Sequence, residues 1–147
     1  ISMNQTHFRK LERMYLQANV NRIIFDTTTI RIEAGRAEIG MNVTDKFHHK
    51  GGAIHGTVYF KMLDDSAYFA ANSLATNYFL LTSSFSVNLL RPVVSGEIKA
   101  VGTIRSQTKN LFIAESTLYD SKGREVAFGT GNFMKSRVEL NSEIGYE

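Results

Sequence analysis

Alternation of apolar and polar side chains indicates that most of this chain is β-strand. Apolar residues occupy every second position at 37–43 and again at 96–104, which is the pattern of a strand with one buried and one solvated face. Runs rich in β-branched and aromatic residues favour four further strands, at 22–32, 78–90, 111–119 and 125–134. Short links join these segments, except for one long crossing between residues 43 and 78.

Two segments have the periodicity of a helix instead. Residues 6–18 place their apolar side chains on one stripe, and Thr6 can cap the first turn. A longer helix follows a Gly- and His-rich loop at 47–56 and ends near 72–76. Its apolar side chains cover more than half of its circumference, so it must be covered by the sheet on one side and by a partner on another. The pattern predicts an α+β fold with one long central helix against a mostly antiparallel sheet.

Length and composition are those of one globular domain. The chain has 147 residues, of which 43% are hydrophobic and 21% are charged. We expect a single domain over residues 1–147, with its core at about 20–135 and a loose polar tail from residue 137. No run approaches the ~18 apolar residues of a membrane span, and no N-terminal segment has the layout of a secretion signal.

Charge and cysteine content narrow the choice of partners. The net charge of +3 is mild and the 17 basic residues are scattered, so we expect neither nucleic acid nor a membrane as a partner. Attraction to an anionic small molecule stays open. The chain has no cysteine, hence no disulfide and no thiol nucleophile, which suits the cytoplasm. We therefore expect a cytoplasmic protein.

Two adjacent aspartates of the central helix have different surroundings in the sequence. Lys61 lies four residues before Asp65, so an ordinary helix ion pair accounts for that carboxylate. Asp64 has Phe60 and Tyr68 at the same spacings and no local cation. A carboxylate on an apolar margin is costly unless it is solvated, hydrogen-bonded or functional. Asp64 is therefore the candidate for chemistry.

The same helix carries a family resemblance. His55-Gly56, followed by Phe60, Leu63, Asp64 and Ala67, resembles the signature of the PaaI-like acyl-CoA thioesterases of the hotdog fold. Leu90-Arg91-Pro92 is similar to a motif at the end of that family's next strand. The resemblance implies a curved antiparallel sheet of about five or six strands around the central helix. It also implies hydrolysis of an acyl-CoA thioester in sites at the subunit interface of a homodimer or a dimer of dimers.

The resemblance assigns four residues to catalysis. The catalytic carboxylate, nine positions after His55, is Asp64, and the backbone N–H that polarises the thioester carbonyl belongs to Gly56. A helix N-terminus aims such donors at a developing oxyanion. His49 occupies the position of the family's Asn, and Thr82 that of a Ser or Thr on the next strand. We expect that strand to come from a neighbouring subunit.

Substrate-binding residues follow from the same resemblance. His55 and Thr57 flank the oxyanion donor, and coenzyme A phosphates usually meet basic residues on loops and strand ends. The candidates for that role are Arg91, Lys99 and Lys109. Coenzyme A is part of the substrate, so no resident cofactor is expected.

Two positions depart from the family pattern and leave the substrate more open than the reaction. His49 replaces Asn, which keeps a hydrogen-bond donor but adds a titratable group. Thr57 replaces a second glycine, so the backbone there is less free and the oxyanion pocket is expected to be tighter.

Other functions have weaker support in the sequence. A hotdog hydratase or dehydratase would use a histidine base in motifs that this chain lacks, and a non-catalytic acyl-CoA sensor would normally carry a DNA-binding segment. The loop histidines His48, His49 and His55 lack the i, i+4 spacing of a helical zinc pair, so no metal site is expected. His48 and His7 are predicted to be exposed, and His55 to order the loop or cap the helix. The acyl group, aromatic or aliphatic, stays open.

Overall fold

A computed structural model describes residues 3–147 of the chain. One six-stranded sheet, antiparallel throughout, packs against a central helix, with strand order β1-β2-β4-β5-β6-β3. The predicted α+β architecture is confirmed. The helices and strands are α1 (Met3–Gln17), β1 (Thr29–Glu33), β2 (Arg36–Val43), α2 (Gly56–Asn72), β3 (Tyr78–Leu89), β4 (Gly96–Gln107), β5 (Leu111–Tyr119) and β6 (Glu125–Glu139).

The sheet wraps α2 closely. The helix contacts every strand from β1 to β6, and Leu63, Ala67 and Ala71 are fully buried. Gly102 of β4 lies directly on the helix backbone, since a Cβ at this position would come within 2.1 Å of the Ser66 carbonyl oxygen. Only glycine permits such a close approach. Helix α2 is therefore held in a fixed position relative to the strands.

The prediction of a strand over residues 22–32 is wrong for its first half. Val20–Ile24 forms one turn of π-helix, and β1 begins only at Thr29. The buried Asn21 holds this turn, because its side-chain amide donates to the Tyr15 carbonyl at 2.7 Å and accepts from Lys61 Nζ at 2.7 Å. These hydrogen bonds, one of them to Lys61 40 residues away, override the β propensity of Ile23 and Ile24.

The C-terminal segment is ordered, contrary to the prediction of a loose tail. Strand β6 continues to Glu139, and a 3₁₀ turn at Ser142–Ile144 follows it. Tyr146 then reaches α1, where its hydroxyl lies 2.7 Å from His7 Nδ1. The prediction that His7 is exposed is also wrong, because this side chain is only 4% exposed and its Nε2 lies 2.9 Å from the Asn72 carbonyl oxygen.

Strand β3 lies at an edge of the sheet. It is twelve residues long, pairs with β6 on one side and has no strand on the other within residues 3–147. It contains no lysine or proline, the residues that commonly protect an edge from pairing. No helix in the described part of the chain is long and apolar enough to cross a membrane.

Candidate active site

The start of α2 presents one free amide. His55 is the N-cap, and its Nδ1 accepts from the Thr57 N–H at 3.1 Å and lies 2.9 Å from Thr57 Oγ1. The Val58 N–H donates to the His55 carbonyl. The capping role predicted for His55 is thus confirmed. The Gly56 N–H makes no hydrogen bond among the described residues, so it is an available donor at the positive end of the helix dipole.

The loop before α2 is fixed by its histidines. His49 accepts the Gly51 N–H at its Nδ1 at 2.9 Å, so the neutral ring carries its proton on Nε2 and can donate there. His48, predicted to be exposed, is partly buried, with its Nε2 2.7 Å from the Val94 carbonyl oxygen. The His48 contact places residues 90–95, which follow β3 and include Arg91, beside the start of α2.

Asp64 lies two helical turns further along. The Thr82 hydroxyl of β3 donates to Asp64 Oδ1 at 2.8 Å within the same chain. The expectation that this strand comes from a neighbouring subunit is therefore wrong for this pair. Burial raises the pKa of the Asp64 carboxyl to about 6, and the hydrogen bond from Thr82 opposes that rise. Asp64 can therefore act as a base near neutral pH.

Asp65 belongs to a separate polar cluster. It forms the predicted ion pair with Lys61 and accepts a 2.7 Å hydrogen bond from the Tyr15 hydroxyl. The Lys61 ammonium lies 5.0 Å from the centre of the Tyr15 ring and 4.9 Å from that of Phe25. Burial raises the pKa of Tyr15 well above its ordinary range, so the phenol stays protonated. This cluster attaches α1 to α2 beside Asp64.

A cavity of about 750 Å³ opens next to Asp64 and Thr82. Helix α2 and strand β3 form one side of it, and the end of α1 with the C-terminal segment forms the other. Most of its exposed lining is apolar, including Tyr68, Phe69 and Phe79. An apolar cavity with a few polar groups at one side is the usual form of a small-molecule site.

Gly56 and Asp64 are too far apart to act on one carbonyl from a single chain. They are eight residues apart on a continuous helix, which corresponds to about 12 Å along its axis. An oxyanion donor and a base must each lie about 3 Å from the reacting group. The candidate site of one chain therefore consists of two separate parts, the start of α2 and the surroundings of Asp64, which we call its half-sites.

Comparison with known sequences gives the family. The sequence model of the thioesterase superfamily matches residues 51–127, slightly more than half of the chain, including Gly56, Asp64 and Thr82. The chain belongs to the thioesterase superfamily. The similar protein SSO2140 of Saccharolobus solfataricus, whose name proposes an esterase, is 21% identical over 92% of this chain and 96% of its own length.

Solved structures of similar proteins have the same fold. The PaaI protein from the phenylacetic acid degradation operon of Escherichia coli superposes with a TM-score of 0.84 at 19% identity, over 95% of this chain and 100% of that chain. The protein smu.793 of Streptococcus mutans, solved with acetyl-CoA, superposes with a TM-score of 0.69 at 20% identity, over 77% and 91%. The resemblance and the hotdog fold predicted from the α2 motif are confirmed.

The two lysines predicted to bind substrate in this thioesterase-superfamily chain lie away from both half-sites. Lys99 pairs with Glu38 at 3.1 Å on the surface of the sheet. Lys109 lies in the β4–β5 turn, beside the link that follows the C-terminal end of α2. Arg91 is exposed and lies near the Gly56 end.

Sequence reasoning missed the wall opposite Asp64. Tyr15 and Asn21 on one side, and Ile144 on the other, line or support the cavity but lie outside the segment matched to the superfamily. The available signal in the sequence was the i, i+4 pair of Lys61 and Asp65. This charged pair binds the side chains of Tyr15 and Asn21, which support the opposite side of the cavity. Among residues 3–147, no group of three or more His, Cys, Asp or Glu side chains is arranged to hold a metal ion.

Proposed function

We propose that the protein hydrolyses an acyl-CoA thioester to a free acid and coenzyme A. The observation that carries the proposal is the partly buried Asp64 carboxylate, hydrogen-bonded to Thr82 at the side of an apolar cavity. Membership of the thioesterase superfamily supports the reaction, and the acetyl-CoA bound to the similar smu.793 supports the leaving group. No resident cofactor takes part.

Asp64 acts on the thioester as a general base toward water or as the nucleophile itself. In the first case the carboxylate takes a proton from the attacking water, the C–S bond breaks, and the proton passes to the departing coenzyme A thiolate. In the second case the carboxylate displaces the thiolate from the acyl carbon and forms an acyl-enzyme anhydride. Water then cleaves the anhydride to the free acid and the Asp64 carboxylate, and the proton that this releases goes to the thiolate. Thr82 orients the carboxylate in both. The Gly56 N–H stabilises the oxyanion that develops on the thioester carbonyl, and His49 can donate through Nε2 to the carbonyl or to the attacking water.

The separation of about 12 Å between the two half-sites implies that a second copy completes each site. Two antiparallel copies of α2 would bring Gly56 of one chain toward Asp64 of the other. The unpaired edge of β3 suits this assembly, because strand pairing across it would extend the sheet and place the helices side by side. We therefore propose a homodimer, or a dimer of dimers, as the active form.

The coenzyme A part of the substrate would extend out of the site at the Gly56 end. Arg91 is exposed there, near the loop that precedes α2, and would bind a phosphate of coenzyme A. Lys99 is engaged with Glu38 and Lys109 lies at the far end of α2, so neither is required by the proposal.

Substitution of Gly56 tests the oxyanion role without disturbing the helix. Gly56→Pro removes the amide proton, and proline is well tolerated at the first position of a helix. The preceding His55 has φ −64° and ψ 147°, which is compatible with a following proline. Gly56→Ala is the matched control, because it keeps the amide and its Cβ would meet only Leu89 Cδ1, at 3.4 Å.

Release of free thiol from acyl-CoA should fall about 100- to 1,000-fold in kcat for Gly56→Pro, the cost of losing one oxyanion donor. Gly56→Ala should remain within a few-fold of the wild-type rate. Equal rates for Gly56→Pro and Gly56→Ala, with both variants folded by circular dichroism, would contradict the assigned role of the amide.

A further inference from the structure

The cavity beside Asp64 is completed by segments outside the part of the chain that matches the superfamily. Asp64, Thr82 and the aromatic residues of α2 lie within residues 51–127, whereas the opposite side is built from residues 14–21 and 138–145. We call these two segments together the terminal wall. The catalytic side of the cavity therefore lies within the segment matched to the superfamily model, and the terminal wall lies in the two segments that flank it.

The terminal wall is held by specific hydrogen bonds. Asn141 Oδ1 accepts the Glu143 N–H at 2.9 Å and the Asn141 carbonyl accepts the Tyr146 N–H at 3.1 Å, which closes the turn around Ile144. Gly145 has a φ of +84°, a conformation that favours glycine. The Tyr146 hydroxyl then bonds to the buried His7 of α1. This geometry presents Ile144 to the cavity as a fixed surface.

The chemistry of the lining selects uncharged, apolar groups. Tyr15, Tyr68, Phe69, Phe79, Leu81 and Ile144 contribute rings and branched side chains. The acidic residues in the lining are Asp64, Asp65 and Glu143, against a single cation, Lys61, which is already paired with Asp65. A ligand carrying its own carboxylate would meet uncompensated negative charge there.

We propose that this cavity holds the acyl group of the substrate and that the terminal wall limits its length. The substrate is an acyl-CoA whose acyl group is uncharged, apolar and several carbons longer than acetyl, either aliphatic or carrying one ring. The inference rests on the proposed function, since Asp64 must face the thioester. The cavity is open to solvent on one side, and its volume of about 750 Å³ lies in the size range of sites for drug-sized ligands and exceeds what an acetyl group needs.

The test compares acetyl-, hexanoyl-, decanoyl-, benzoyl- and adipoyl-CoA in a thiol-release assay. In the wild type, kcat/KM should rise by about fourfold for each methylene between acetyl and hexanoyl, as expected for burial of a CH₂ group. Adipoyl-CoA has the length of hexanoyl-CoA but ends in a carboxylate, and should be at least tenfold poorer. Similar values for hexanoyl and adipoyl would contradict the acidic lining.

Two substitutions of one wall residue change the size of the cavity in opposite directions. Ile144→Trp should lower kcat/KM for hexanoyl-, decanoyl- and benzoyl-CoA at least tenfold relative to kcat/KM for acetyl-CoA. Ile144→Ala should shift the preference from hexanoyl toward decanoyl. Ile23→Trp is the control, because Ile23 is exposed and outside the cavity lining.

The outcomes separate this inference from the proposed function. No thiol release from any of the five substrates would contradict the proposed function itself. Thiol release with the same acyl preference in the wild type, Ile144→Trp, Ile144→Ala and Ile23→Trp would overturn the inference and leave the reaction standing. If circular dichroism shows that Ile144→Trp is not folded, the test rests on Ile144→Ala. An unchanged preference between hexanoyl- and decanoyl-CoA in that variant would then overturn the inference.

Discussion

The environment of Asp64 acts against its negative charge. Burial raises the pKa of this carboxyl to about 6, while the Thr82 hydroxyl and Lys61 lower it. Raised carboxyl pKa values at the side of a cavity are characteristic of groups that take up a proton during catalysis. The adjacent Asp65 is satisfied by Lys61 and Tyr15, so only one of the two aspartates is available to a substrate.

The activity should therefore depend on pH through Asp64. In the proposed mechanism the carboxylate form of Asp64 is the base or nucleophile, so kcat/KM should rise with pH through a midpoint of about 6 and level off above it. Thr82→Val removes a hydrogen bond that favours the charged form, and should move the midpoint upward by roughly one pH unit. Thr82→Ser retains the hydroxyl and is the control. A pH–rate profile of Thr82→Val that overlays the wild-type profile would contradict this pairing.

The contact between α1 and the C-terminal segment depends on a neutral histidine. Asn72 offers only a carbonyl oxygen to His7 Nε2, so Nε2 carries the proton and Nδ1 accepts from the Tyr146 hydroxyl. Burial lowers the pKa of His7 below its ordinary value of 6.5. Protonation of this ring therefore opposes the packing of the C-terminal segment.

The free energy of unfolding should reflect this contact. The unfolded chain takes up the proton first as the pH falls, so the contribution of His7 is complete above about pH 6.5 and is lost as the pH falls through 6.5 toward the lower folded-state pKa. In His7→Gln the amide can still donate to Asn72, but it does not titrate. Urea unfolding between pH 8 and pH 5 should show wild-type stability falling relative to His7→Gln. A constant difference across that range would refute the interpretation.

Local pattern predicted most of these elements, and long-range contacts account for the failures. The alternation and turn signals placed β5 at its observed bounds, and the apolar circumference of α2 identified the central helix. Residues 22–28 were predicted as strand because their side chains are largely β-branched or aromatic, yet Asn21 bonds to Tyr15 and Lys61 and holds a helical turn. The C-terminal segment was predicted to be loose because it is polar, and its partner, His7, lies 139 residues away.

Some features of the candidate site could likewise be predicted from the sequence, and others could not. Asp64 and Asp65 could be distinguished by the residues four positions away, which are Lys61 for Asp65 and Phe60 and Tyr68 for Asp64. The α2 motif indicated Gly56. The cavity could not be predicted, since its opposite side joins residues 14–21 to residues 138–145, and no spacing in the sequence shows that these segments meet.

Each proposed active site requires two chains. Co-purified dimers that pair an Asp64→Asn chain with a Gly56→Pro chain test this requirement. Such a mixed dimer would have one site with both groups intact and one site with neither, because each site takes Gly56 from one chain and Asp64 from the other. It should therefore recover about half of the wild-type rate, although each parent homodimer is nearly inactive. Mixed dimers as inactive as the parents would contradict the two-chain site.

The Asp64→Asn variant gives the most direct test of the central claim, that this carboxylate hydrolyses an acyl-CoA thioester. The wild-type carboxylate is destabilising at pH 8 because its pKa is raised, so Asp64→Asn should unfold with a free energy up to about 3 kcal/mol higher there, a gain that disappears below about pH 4. A loss of activity in Asp64→Asn that is shown to be folded therefore reports on the carboxylate itself.

The decisive measurement is free-thiol release from hexanoyl-CoA at pH 8 by the wild type and by Asp64→Asn, each shown to be folded. We expect steady turnover by the wild type and a rate at least about 100-fold lower for the variant. Full turnover by a folded Asp64→Asn, or no turnover by the wild type on any acyl-CoA, would contradict the claim.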